Sequence, residues 1–118
     1  MRKSNTTIIA GVGMVAFGKP GASDNYDVMG ESAIREALAD SGLDFTHIKQ
    51  AYAGYVYGDS TCGQKVIYKV VMTGITVFNV NNNCSTRSSA LFMESQAVER
   101  GLVDCALAVG FEQMQPGA

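Results

Sequence analysis

The sequence predicts an α/β protein, a βαβαβαβ chain with a mainly parallel sheet, and three observations carry that prediction. Short apolar runs alternate with longer stretches of helical spacing along the chain. Glycines close those stretches at Gly42, Gly74 and Gly101, where helices commonly stop. A cysteine, Cys84, stands where one apolar run hands over to a helix. Strand–helix–strand connections imply parallel strands with helices on the sheet faces.

Taken in order, residues 6–12 form a short apolar run and read as the first strand. Residues 18–24 are a loop, broken by Pro20 and Gly21. Residues 27–41 read as a helix, with Gly30, Ala33, Ile34, Ala37 and Leu38 at i, i+3, i+4 spacing. Asp24 or Asp27 is its expected cap and Gly42 its stop. Residues 48–57 read as the second strand. Residues 64–73 read as a short helix with Val66, Ile67, Val70 and Val71 on one face. Residues 75–80 read as the third strand and 85–100 as the third helix. The first half of that helix is apolar nearly all round, which predicts burial. Residues 105–109 close the pattern as a fourth strand.

The chain has 118 residues, one domain or less. An apolar share of 47% is ample for a core, and the net charge of −2 with no basic run gives no footprint for nucleic acid. No apolar run is long enough for a membrane span. Met1-Arg2-Lys3-Ser4 leads straight into a strand-like run, unlike a secretory signal. Gln115-Pro116-Gly117-Ala118 carries no peroxisomal tripeptide. Three cysteines, an odd number, argue against a disulfide framework, and with His47 they lack zinc-ligand spacing, so no metal is expected. Asn5-Thr6-Thr7 and Asn83-Cys84-Ser85 fit the glycosylation pattern by chance. Gly11-Val12-Gly13-Met14-Val15-Ala16 matches G-x-G-x-x-A, but Phe17-Gly18-Lys19-Pro20-Gly21 cannot continue as the helix a dinucleotide site needs. A plain glycine turn is the preferred reading.

Cys84 follows Asn81-Asn82-Asn83 and precedes Ser85-Thr86. A thiol there sits over a helix N-terminus, whose partial positive charge favours thiolate. Its flanks are polar and small, unlike those of a buried core cysteine. The asparagines offer amides either for a carbonyl substrate, which makes Asn82 and Asn83 candidate binding residues, or for a tight turn. Following the third strand, Cys84 belongs at the carboxyl end of the sheet, where ligands of such folds sit. Cys62 and Cys105 read as structural. His47, the only histidine, reads as an exposed loop residue at the opposite sheet end. Met72, Met93 and Met114, with Phe92 and Phe111, either line an acyl pocket or fill the core. Glu112 reads as solvated or capping, and Glu94, Glu99 and Arg100 as the wet face of the third helix.

The run Asn79-Val80-Asn81-Asn82-Asn83-Cys84-Ser85-Thr86 resembles the nucleophile segment of the thiolase superfamily, in particular the sterol carrier protein X type. Gly11-Val12-Gly13-Met14, Gly54-Tyr55-Val56-Tyr57-Gly58-Asp59, Met72-Thr73-Gly74-Ile75 and Gly110-Phe111-Glu112-Gln113-Met114 extend the resemblance over nearly the whole chain. It implies a partial thiolase-like layer with a buried nucleophile-bearing helix, and makes 1–118 an incomplete N-terminal thiolase domain. It implies acyl transfer between 3-ketoacyl-CoA and CoA, with Cys84 as the acyl-carrying nucleophile, Asn82, Asn83 and Met114 at the substrate, and coenzyme A as substrate rather than resident cofactor. The family's activating histidine, second cysteine and oxyanion-hole histidine lie later in its chain and are matched by nothing here, so the reaction is expected to be incomplete. Arg87 stands where the family has glycine, and either steadies a thiolate or obstructs entry. The family pairs the strand before the nucleophile with its copy, so Val77 to Asn81 is the expected edge of a homodimer or of a thiolase subunit contact. Peroxisomal residence is implied by the resemblance, and a cytoplasmic place where no targeting signal exists. The alternative is a non-catalytic thiolase-like protein acting in subunit pairing or in lipid or acyl-CoA binding. A small acyl carrier or thioesterase is a third reading, which needs a base the sequence does not offer.

Overall fold

The computed structural model describes residues 6–114. The readings of a secretory signal and of a peroxisomal tripeptide fall on residues outside that range. The elements run α1 (Tyr26–Ser41), β1 (Gln50–Gly54), α2 (Cys62–Val70), β2 (Thr76–Val80), α3 (Thr86–Glu99) and β3 (Ala106–Gly110). The strands form one parallel sheet in the order β2-β1-β3, with Gln50 opposite Thr76 and Ala106.

Side chains alternate across the strands, so odd and even positions serve different layers. Ala51, Ala53, Val77, Leu107 and Val109 face α1 and α2, where Ile34, Val66 and Ile67 are buried with them. Tyr52 and Val80 face α3, meeting Ala90 and Ala97. Helices on both faces complete an α/β/α sandwich. Because α2 leads from β1 to β2 and α3 leads back across β1 to β3, the two crossovers occupy opposite faces, as right-handed connections require.

Helix α1 ends at Gly42, whose φ of 71° is left-handed and whose N–H donates to the Leu38 carbonyl. Its N-cap residue is Asn25; Asp27, in the first turn, instead pairs with Lys69 of α2 at 3.5 Å. Helix α2 begins earlier than its apolar spacing suggests. The Asn79 side chain of β2 accepts the Gly63 N–H at 2.7 Å and donates to Gln64 Oε1 at 2.8 Å. A strand residue thereby satisfies a donor at the amino end of the helix packed on it. Helix α2 stops at Val70, because Val71 is already extended.

Three expectations are corrected. Residues 6–12 form no strand. They run extended over α1 because Gly11 and Gly13 bring their backbone against it: a methyl group on Gly11 would stand 2.6 Å from the Ala37 carbonyl oxygen. The Val12 N–H donates to Asp40 Oδ2 at 2.9 Å rather than to a ladder partner. Ile8, Ile9 and Val12 face solvent. Helix α3 is buried on one face only, since Thr86, Ala90 and Ala97 are covered while Leu91 and Phe92 are exposed. Glu94 is not on a wet face, and burial pushes its carboxyl above the usual carboxylate range.

Two predictions follow from this packing. Asn79→Ala removes the side-chain link to α2 and is expected to destabilise the fold by about 1–2 kcal/mol in chemical denaturation. A raised Glu94 pKa means the folded state holds its proton longer than the unfolded chain. The carboxyl therefore carries no penalty below pH 4.5 and costs stability as the pH rises through its folded value. Glu94→Gln should raise the melting temperature at pH 7 and leave it unchanged near pH 4, which thermal scans across that range will read.

Candidate functional site

In a parallel sheet every strand delivers its following loop to the same edge. Here residues 55–61, 81–85 and 111–114 converge at the carboxyl edge. The Tyr55 N–H donates to the Val80 carbonyl at 3.3 Å and the Phe111 N–H to the Gly54 carbonyl at 3.1 Å. Cys84 lies there, in a 3-10 turn, Asn83–Ser85, that runs directly into α3. Its thiol is exposed, as the nucleophile reading requires.

The loop is fixed by its own polar side chains. Asn81 Oδ1 accepts the Asn83 N–H at 3.0 Å. Thr86 Oγ1 accepts the Asn82 N–H at 2.8 Å and donates to the Asn83 carbonyl at 2.6 Å. Asn82 Nδ2 donates to Ser89 Oγ at 2.9 Å, and Ser85 Oγ to the Asn82 carbonyl at 3.0 Å. Asn83 sits at φ 49°, the left-handed region that asparagine tolerates better than most residues. Thr86 is buried against Gly54, where a Cβ would lie 3.0 Å from Thr86 Cγ2. The asparagines thus serve the turn. Asn82 commits its amide to Ser89, while the Asn83 side chain is exposed beside Cys84.

The neighbouring loops are braced in the same way. Glu112 accepts the N–H groups of Val56 at 2.9 Å and Tyr57 at 3.1 Å. Gln113 accepts the Tyr26 N–H at 3.0 Å. The Phe111 ring stacks between Tyr26 and Tyr55, with centroids 5.4 and 5.1 Å away. The Tyr26 phenol, hydrogen-bonded to the buried Cys62 thiol, is pushed up to about 12, with its partial burial acting in the same direction. Cys62 is therefore part of a packed cluster. Burial also raises the Cys105 thiol, half-covered at the amino edge. Met114, exposed, ends the described chain on the carboxyl edge.

Several candidates lie elsewhere. His47 is exposed ahead of β1, with Nδ1 3.2 Å from the Asp44 carbonyl, at the edge opposite Cys84. Met72 is exposed in the connection entering β2, also at the amino edge. Phe111 is core, and Met93 and Phe92 are exposed on α3 rather than core filler. Two concavities, of about 690 and 530 Å³, open at the amino edge around Val103 and Leu43 and include no residue of the Cys84 loop. No cluster of metal-ligating side chains exists among the described residues. No described helix is long and apolar enough to cross a membrane.

A parallel sheet with helices on both faces, and an exposed cysteine at a strand-to-helix turn on its carboxyl edge, make this an α/β protein with a candidate nucleophile. The model of the thiolase N-terminal domain matches residues 7–116, and the chain belongs to that family. It is similar to Sterol carrier protein 2 of Gallus gallus, at 52% identity over 93% of this chain and 20% of that protein. It is 33% identical to the benzoylsuccinyl-CoA thiolase subunit BbsB of Thauera aromatica, over 95% of this chain and 29% of that one. Among solved structures it is similar to a priming β-ketosynthase of polyketide biosynthesis, with TM-score 0.70 and 26% identity, over 77% of this chain and 28% of that one. The chain thus spans about a fifth to under a third of the length of these relatives.

Thr86→Val keeps the shape of Thr86 but strands the Asn82 N–H and removes the donor to the Asn83 carbonyl. It is expected to cost about 1–3 kcal/mol and to change the iodoacetamide labelling rate of Cys84. Thr86→Ser should preserve both, as urea unfolding and timed alkylation will show.

Proposed function

We propose that the chain carries the acyl-accepting half of a thiolase-type reaction, with Cys84 as nucleophile. The carrying observation is the exposed Cys84 thiol, held at the amino end of α3 by a loop whose polar groups are committed to its shape. The family supports the reaction class. Cys84 sulfur attacks the 3-keto carbon of a 3-ketoacyl-CoA. The bond between C2 and C3 breaks, and the departing acetyl-CoA carbanion takes up a proton. The acyl group remains as a thioester on Cys84. A CoA thiolate then attacks that thioester, releases acyl-CoA and returns the Cys84 thiolate.

General acid–base groups supply large rate factors in such steps. The one histidine of the chain, His47, lies at the wrong edge. A five-residue strand spans roughly 17 Å, beyond any direct proton transfer. The second half-reaction run backwards, transfer of an acyl group from acyl-CoA to Cys84, needs no carbon acid and is the step this chain is suited to. In this reading Asn83, next to Cys84 in the chain, and Met114, on the loop after β3, are the substrate contacts. The reading includes pairing through β2, a terminal strand of the sheet whose outer edge is unpaired among the described residues and carries an exposed Phe78. It also includes a peroxisomal setting, in keeping with the resemblance to sterol carrier thiolases.

A non-catalytic role in pairing or acyl-lipid binding is favoured by one observation, the bare apolar flank of α3 at Leu91 and Phe92. The readings separate on exposure of the chain to dodecanoyl-CoA. Intact-mass and peptide mass spectrometry should show one dodecanoyl group on Cys84, absent in Cys84→Ser. Unmodified protein, under conditions where iodoacetamide labels Cys84, would remove the acyl-transfer reading and leave the binding one.

A further inference from the structure

Arg87 is the first charged residue after Cys84, three positions along the same turn of chain. Cys84 stands in the 3-10 turn Asn83–Ser85 and Arg87 in the first turn of α3, which follows that turn directly. The Arg87 stem is placed by packing. Gly110, at the carboxyl end of β3, lies beneath it so closely that a methyl group there would overlap Arg87 Cγ and Cδ and stand 2.9 Å from Nε. The even-numbered positions of the strands face α3, and Gly54 and Gly110 are both bare there. Thr86 fills the space over one and Arg87 crosses the other. The residue is nevertheless exposed.

Among the described residues no carboxylate pairs with the charge at the end of this stem. The ion pairs among them join Arg35 to Glu31 and Lys69 to Asp27, both made by α1 and α2 on the other face of the sheet. Glu112, two residues beyond Gly110, is occupied by the Val56 and Tyr57 N–H groups. Lys65 lies over the Tyr26 ring, on the face opposite α3. A packed stem with an unpaired guanidinium tip, beside a nucleophile, is a means of sorting reactants by charge.

We infer that Arg87 is a specificity-determining residue that favours acyl donors carrying a negative group. This rests on the reading of Cys84 as an acyl acceptor. Two sources share that chemistry, a carboxylate on the acyl chain and the phosphates of CoA.

The field of Arg87 is read first without acyl transfer, by alkylating the full chain with iodoacetate and with iodoacetamide. In both reactions the Cys84 sulfur forms a bond to the reagent's methylene carbon and iodide leaves. Both consume the same thiolate, so the ratio of their rates cancels changes in thiolate population or loop exposure. Peptide mass spectrometry restricts the measurement to Cys84. Arg87→Gln keeps most of the stem over Gly110 and removes the charge. It is expected to lower the iodoacetate-to-iodoacetamide ratio by about twofold or more near 0.01 M salt, where screening is weak, with the difference vanishing near 1 M. A ratio within twofold of wild type at low salt overturns the inference. Should Arg87→Gln fail to fold, Arg87→Gly, which restores the family's residue, is read the same way.

Thioesters then locate the anion. Cys84 is acylated with the succinyl and butanoyl thioesters of CoA and of pantetheine. A slower reaction of Arg87→Gln with both CoA thioesters, sparing the pantetheine pair, assigns the contact to CoA phosphate. A loss confined to the two succinyl thioesters assigns it to the acyl carboxylate. Equal rates for wild type and variant with all four reagents overturn the inference. If none of them acylates Cys84, the acyl-acceptor reading fails while the alkylation ratio still decides whether Arg87 sorts reactants by charge.

Discussion

One buried hydroxyl holds the site together. Thr86 Oγ1 takes the Asn82 N–H and gives its proton to the Asn83 carbonyl, closing the turn that carries Cys84. The same side chain seats its methyl over Gly54 in the central strand. A single residue therefore ties the end of β2, the nucleophile loop, the start of α3 and the middle of the sheet into one body. The cost of holding Asn83 in the left-handed region is bearable because these bonds, with the Asn81 side chain, leave the loop no looser alternative. Rotation of Cys84 away from the edge would leave a buried hydroxyl and a backbone amide without partners, which is expensive.

The two edges of the sheet differ in how they are finished. At the carboxyl edge, Glu112 and Gln113 reach back to the preceding loops, and Phe111 stacks between tyrosines from α1 and from the loop after β1. Each of these contacts joins segments far apart in sequence, so the edge behaves as one surface rather than three loops. At the amino edge two concavities open, yet they gather no exposed nucleophile. Reactivity needs an exposed, oriented sulfur, and that stands at the carboxyl edge.

What the sequence shows and what it hides divide along the range of the interactions. Helices α1 and α3, the turn glycines and the strand-to-helix position of Cys84 are readable, since each is written in residues within one or two turns of each other. The sheet order is consistent with alternation but not dictated by it. The reading of residues 6–12 as a strand fails because apolar character marks an extended run, while pairing depends on what lies beside it; there Gly11 and Gly13 meet a helix backbone. Asn79 as a helix partner and Glu112 as a loop brace are invisible in the sequence, because both contacts cross between elements. Glu94 misleads because a charged residue on a helix is assigned to water unless the neighbouring strand is known to cover it. The asparagine triplet was open between turn and substrate, and the bonds of Asn81 and Asn82 show the turn's share.

Placement of a nucleophile and completion of its chemistry are separable properties, and this chain shows where the division falls. Everything that aims Cys84 comes from residues 54–89 and Gly110, which fold against each other and against one sheet. Two titratable groups near that edge are turned to structural work: the Tyr26 phenol is pushed up to about 12 by Cys62, and Glu112 is committed to two backbone amides. Helix α3 carries the same division in its packing. Its small residues, Ala90 and Ala97, meet the sheet, while Leu91 and Phe92 are exposed and realise only part of the about 1.5–3 kcal/mol that full burial of such a side chain gives. One face of α3 is fixed by the sheet and the other is left to water, and the nucleophile turn leads into this same helix, so the packing that seats α3 on β1 also sets where the sulfur stands.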